Sequence, residues 1–180
     1  MAFKNIIKWQ YLILFLAIAF CLQYILIAKL LPVFYIFSAG EKNPDQLFWY
    51  TGTYIEKLYR TLGENGRLFY RNMLLVDFLY AGFAAAGYSI LLYFSSKNTK
   101  WTWASFTPVA MTFFDYLENI SQIILLNTYP GVNAVLVFLS SVFSMLKMCF
   151  GGIGICLMII FLLRLASLGV KKIYAVKKAE

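Results

Sequence analysis

WQYLILFLAIAFCLQYILIA, residues 9–28, is a run of twenty residues without a single charge. At about 1.5 Å of rise per residue, a helix of that length crosses a hydrocarbon core of about 30 Å. A secretory leader needs an apolar core of only about 7–15 residues. Phe20, just before Cys21, is too bulky for a lipoprotein cleavage site. The segment therefore reads as a retained first transmembrane helix.

Three later segments repeat the pattern. Residues 72–94 are interrupted only by Asp77, residues 101–127 carry Asp115 and Glu118, and residues 132–163 are interrupted by Lys147. With their flanks they predict spans over about 9–37, 68–94, 101–127 and 132–165 of a single transmembrane domain covering 1–180. The links Ser95–Lys100 and Thr128–Gly131 are too short for anything but antiparallel neighbours. The expected fold is all-α: an up-down antiparallel bundle of four transmembrane helices.

Composition agrees with this reading. The chain is 62% hydrophobic and 13% charged, with mean hydropathy +0.73, whereas soluble domains run about 45–50% apolar and 25% charged. The net charge of +8 comes from basic residues flanking apolar segments, so it reads as a topology signal and excludes nucleic acid as a partner. One side of the bundle holds Lys4, Lys8, Lys97, Lys100, Arg164, Lys171, Lys172, Lys177 and Lys178, against Lys42, Lys57, Arg60, Arg67 and Arg71 on the other. That excess puts both termini in the cytoplasm, at the plasma membrane if the source is bacterial.

Only the first connection, Ser38 to Arg71, is long enough to hold structure of its own. Within it Ile55, Leu58, Tyr59 and Leu62 recur at helical spacing while Glu56, Lys57 and Arg60 face away, and Gly63 ends the pattern. An amphipathic helix is expected over about 45–62, lying on the interface or capping a pocket. Gly151-Gly152 with Gly154 is expected to break or bend the long fourth helix.

Several chemistries are excluded early. The chain has no His, which removes the commonest general base and metal ligand. Cys21, Cys149 and Cys156 fit neither a zinc site nor a redox pair and read as packing residues. No nucleophile and base stand together, so no catalytic residue, cofactor or metal is assigned.

The informative residues are the charges inside the spans: Lys29, Asp77, Asp115, Glu118 and Lys147. Facing lipid, an acid would cost about 2.5–3.5 kcal/mol, so each must face protein or water. Counting from the helix ends nearest Ser38, Lys29 lies eight residues from Phe37, Asp77 nine from Leu68 and Glu118 nine from Asn127. Asp115 and Lys147 fall one to two turns deeper. Asp115, Glu118, Asn119 and Gln122 share one face of the third helix; Asp77, Ala81, Ala84, Ala85 and Tyr88 share one of the second. Ser140, Ser144, Lys147, Gly151 and Gly154 form a third such stripe. Asp77, Asp115, Glu118, Asn119, Gln122, Lys147 and Lys29 are therefore the candidate ligand-binding residues. Ion pairs that merely fix helix register are the alternative.

Gly66-Arg67, Tyr70 and Asp77, followed by Asp115-Tyr116-Leu117-Glu118-Asn119, resemble the pattern of an uncharacterised family of small four-helix integral membrane proteins. The resemblance covers Arg60 to Asn127 and implies the same polar residues without implying a reaction. The architecture is also similar to the sterol-isomerase and sigma-2-receptor four-helix group, whose intramembrane acids line a lipid-like ligand cavity. The isomerases of that group use His beside Glu, and this chain has no His; the likeness implies pocket binding rather than catalysis.

The sequence thus leads to an intramembrane acidic site for a lipid-like or cationic amphipathic molecule, with membrane lipids around it. A proton- or cation-coupled carrier is the second reading. An accessory or scaffold subunit, with a protein partner or as a homo-oligomer, is the third.

Overall fold

The computed structural model describes residues 2–97 and 99–177, with side-chain environments for residues 9–97 and 99–167. The side chains of Lys4, Lys8, Lys171, Lys172 and Lys177, and the whole of Lys178, lie outside the described residues. Among the described residues every regular element is helical: α1 (Ala2–Ile25), α2 (Leu31–Phe37), α3 (Gly52–Ser96), α4 (Thr107–Thr128) and α5 (Ala134–Lys177). Four helical stretches among the described residues are long and apolar enough to cross a membrane: Trp9–Phe37, Gly52–Ser96, Thr102–Thr128 and Ala134–Ser167.

α1 runs into α2 through a π-helical turn, Leu26–Leu30. Pro32 sits in the first turn of α2 and has no N–H to donate. The Leu31 N–H reaches back to the Leu26 carbonyl, which carries the helix past this gap with one wider turn.

α3 bends sharply at Gly63, whose φ of 64° and ψ of −173° lie in a region essentially reserved for glycine. Before the bend, Ile55, Leu58, Tyr59 and Leu62 are buried, with Glu56, Lys57 and Arg60 exposed. This helix begins at Gly52, later than the expected start near residue 45, because Thr51 is extended and caps it by accepting from Tyr54 N. Residues 44–46 form a separate 3-10 turn. The apolar face of the helix over 52–62 packs into the main core with Phe34, Tyr70, Leu125 and Val137.

Small residues set the helix contacts, as expected where lipid supplies no hydrophobic contrast. At Gly87, α1 approaches so closely that an added Cβ would fall 2.7 Å from Leu16. At Gly82 it would fall 2.7 Å from the Tyr116 hydroxyl, which itself donates to the Phe78 carbonyl across the α3–α4 contact. Gly151 lies against Met111 and Gly154 against Thr107. α5 is continuous, with no break at Gly151-Gly152, and Gly151 and Gly154 of the small-residue stripe allow close approach to α4. The three cysteines are free and exposed on the outer surface rather than packed inside.

The first connection is the unexpected element. Phe37 abuts Gly66, Asn43 accepts from the Tyr70 hydroxyl, and Asp45 reaches Lys147, deep in α5. The chain then returns along α5, with Leu47 at Ser144 and Tyr50 at Ser141, before α3 starts. Lys147 lies thirteen residues into α5, about 20 Å of helix rise from its start. Residues 41–51 thus dip into the bundle interior and come back.

Candidate functional site

Irregular backbone deep within a helical bundle needs internal partners for its polar groups. α5 provides them through a run of serines. Ser141 Oγ donates to the Tyr50 carbonyl at 2.5 Å and accepts from Tyr50 N at 3.4 Å, and Ser144 Oγ donates to the Leu47 carbonyl at 2.7 Å. Ser140, Ser141 and Ser144 are fully buried. At the tip, Asn43 forms a reciprocal cap with Gln46, and its side chain also accepts from Asp45 N at 3.2 Å.

This segment delivers Asp45 to a cluster with one cation. Lys147 Nζ bonds Asp45, lies 3.3 Å from Asp115 Oδ1 and 2.5 Å from Glu118 Oε2. The Glu118 contact is a close charge pair rather than a well-directed hydrogen bond, since Oε2 has no aligned donor. Lys147 is 4% exposed, Asp115 6% and Glu118 1%, so these charges interact with little solvent screening. Asp77 completes the group: Asn119 Nδ2 donates to its Oδ2 at 2.8 Å. One oxygen from each of Asp45, Asp77 and Asp115 lies within 4.8 Å of the others. Three such carboxylates could hold a hard cation, but Lys147 already bridges two of them, so the donor set is that of an ammonium site.

A neutral network continues toward α3. The Tyr50 hydroxyl donates to Glu118 Oε1 at 3.1 Å, accepts from Gln122 Nε2 at 2.8 Å and lies 2.7 Å from Ser140 Oγ. Gln122 Oε1 accepts from the Tyr59 hydroxyl at 2.7 Å. Burial, followed by the charge of Glu118, pushes the Tyr50 phenol well above its ordinary value, so it remains a donor.

Beside Glu118 Oε2, two further buried oxygens of the cluster are left without a hydrogen-bond partner. Asp115 Oδ2 and Asn119 Oδ1 are both buried and accept no hydrogen bond, which is costly unless something donates to them. Asp115 lines a cavity of about 230 Å³ together with Asp45, Asp77, Tyr80, Tyr88 and Lys147. A second cavity of about 350 Å³ shares Tyr80, Tyr88, Pro108 and Met111 with it and extends along Gly151, Gly154, Met158 and Ile159. Asp45 and Asp77 also border a third, of about 230 Å³, between α1 and α3.

Six of the seven residues expected from the sequence come together here: Asp77, Asp115, Glu118, Asn119, Gln122 and Lys147. Lys29 does not. It lies exposed in the π-helical turn and forms no ion pair among the described residues. Equal depth along a helix does not fix its rotation, and the wide turn before Pro32 turns this position outward. The cluster therefore holds four acids and one lysine, not three acids and two, with Asp77 reached through Asn119 rather than through Lys147.

Asp45 and Tyr50 were not expected. Both belong to a stretch too polar to read as a span, and the usable signal was indirect: three serines on α5 with no partner in the expected bundle. Comparisons with protein-family models, with curated proteins and with solved structures give no match for this chain.

Proposed function

We propose that this chain is a multi-pass membrane protein, its four spans running up and down with both termini cytoplasmic, whose interior acidic site binds a cationic amphipathic molecule. The supporting observation is the charge balance. Asp45, Asp115 and Glu118 contact the ammonium of Lys147, and Asp77 lies within 4.8 Å of Asp45 and Asp115, so four acids share one nearby cation. In a low-dielectric interior such a surplus must be protonated or matched by a further cation. The adjoining apolar cavity gives a molecule that carries this cation a place for its hydrocarbon part.

Native mass spectrometry of the protein extracted in mild detergent tests the reading. Wild type should carry a discrete adduct that the Asp115→Asn, Glu118→Gln double variant lacks. The same adduct on both proteins, or on neither, refutes it.

A second reading, a proton- or cation-coupled carrier, draws support from the re-entrant stretch 41–51. Broken backbone beside intramembrane acids is the usual construction of transporter sites. It predicts a pH-dependent flux in proteoliposomes that Asp115→Asn abolishes; no flux under any imposed gradient would remove it.

A further inference from the structure

We propose that an outward-facing cleft, at the end of the bundle where α1 begins and α3 ends, holds an anionic phospholipid, with an acyl chain in the cleft and the phosphate at Lys97 and Lys100. The site is separate from the acidic cluster and stands whether or not that cluster binds a ligand.

α1 and α4 each pack against α3, and near this end the three leave a cleft of about 380 Å³. It is lined by Tyr11 of α1, by Ile90, Tyr93 and Phe94 of α3, and by Phe106 and Val109 on either side of the start of α4. Tyr11, Tyr93, Phe106 and Val109 are exposed, so the cleft opens outward, toward lipid, rather than into the core. Trp9 stacks on Phe94 with ring centroids 5.2 Å apart, which sets the register of α1 against α3 here. Leu92, Ala104, Leu157 and Phe161 form a small core at the same level, so the far half of α5 reaches this end too. Trp9, Trp101 and Trp103 are each about half exposed, and tryptophan so placed marks the boundary between hydrocarbon and headgroups.

Charge selects the occupant. Ile90, Tyr93, Phe94 and Lys97 recur at helical spacing, which puts Lys97 one turn beyond the cleft at its outer end; Lys100 lies on the same short link into α4. Both lysines are exposed, and neither is in an ion pair among the described residues. Seven residues of rise from Ile90 to Lys97 are about 10 Å, enough to run from the outer hydrocarbon into a headgroup layer about 5–7 Å thick. Residues 1–40, 78–114 and 119–179, which supply every segment at this end, contain no Asp or Glu. A phosphate therefore meets two unpaired ammonium groups, whereas the choline of a zwitterionic lipid meets no counter-charge. A second copy of this chain would bring the same basic residues to the contact and is repelled.

The tryptophans supply the readout. Three of the four lie at this end, and the fourth, Trp49, stacks on Phe138 elsewhere, so full-length protein carrying Trp49→Phe reports the cleft by its fluorescence. It is reconstituted in phosphatidylcholine vesicles into which lipids brominated along the acyl chain, which quench tryptophan on contact, are introduced as phosphatidylglycerol or as phosphatidylcholine with the same chains. Phosphatidylglycerol should quench with an apparent affinity at least about fivefold higher. Adding Lys97→Gln and Lys100→Gln should bring the two lipids to within about twofold. Ile90→Phe, which fills the cleft and keeps both lysines, should lower the preference at least about threefold. Unchanged melting confirms that this variant folds, and Val109→Phe serves if it does not. Equal quenching by the two lipids, or a preference that survives loss of both lysines, overturns the charge assignment. A preference lost with the lysines but untouched by filling the cleft overturns the cleft and leaves only attraction to a basic surface. No quenching by either lipid overturns the proposal outright, and two copies per particle on light scattering would then name the occupant.

Discussion

Lys147 of α5 bonds the carboxylate of Asp45, a residue 102 positions earlier in the chain. The acid sits on a single 3-10 turn and the lysine thirteen residues into a continuous helix. Through this pair the first connection is tied to the last helix, and the charge cluster becomes a property of the whole bundle.

Removing the cation should be the most damaging single change. Lys147→Met leaves four acids with no counter-charge and is expected to destabilise by about 3–5 kcal/mol. Adding Asp115→Asn and Glu118→Gln should restore much of the loss. Thermal melts of the single and triple variants in one detergent check this, and no recovery in the triple would count against charge as the cause.

The serines of α5 should hold the re-entrant backbone. Ser141→Ala and Ser144→Ala each strand a buried carbonyl, at a cost of about 1–3 kcal/mol. Amide hydrogen exchange should rise over residues 43–51, and far less in α4. Uniform exchange across both would mean that the serines do not act on this segment.

Gly63→Ala forces a Cβ into a backbone geometry reserved for glycine, although the space around it is open. The expected cost is about 1–3 kcal/mol, from strain and not from a clash. Gly63→Asn should lose as much in the same melt, because the tolerance of Asn for positive φ is confined to the left-handed helical region and Gly63 has ψ −173°.

Gly82→Ala places a methyl 2.7 Å from the Tyr116 hydroxyl and displaces it from the Phe78 carbonyl. A loss of about 1 kcal/mol is expected. In a Tyr116→Phe background the glycine change should cost nothing further, which a double-mutant cycle reads directly.

Much of this arrangement is legible in the sequence, for reasons that can be traced residue by residue. Uncharged runs such as 9–28 have few alternatives to a spanning helix, and the four long helices lie within a few residues of their expected bounds, apart from the early start of α3 at Gly52. Asp115, Glu118, Asn119 and Gln122 follow from helical spacing, which fixes a face without tertiary knowledge. Lys29 shows where that logic ends: its depth is readable, but its rotation depends on the π-helical turn that Pro32 requires. Asp45 and Tyr50 were out of reach because polarity marks a loop as outside, and only the partners on α5 reveal that this one is inside. Gly151 and Gly154 were legible as a small-residue stripe, and they pack against Met111 and Thr107 of the neighbouring helix without breaking α5.

The re-entrant stretch also fixes an order of events during synthesis. Residues 41–51 emerge from the ribosome about ninety residues ahead of Ser140, Ser141, Ser144 and Lys147, so their carbonyls and Asp45 have no resting place while the earlier helices insert. They must wait in water or at a chaperone until the last span arrives, and only then can the segment sink and close the cluster. The site is thus assembled last, and a chain cut before α5 carries its acids without ever forming the well they line.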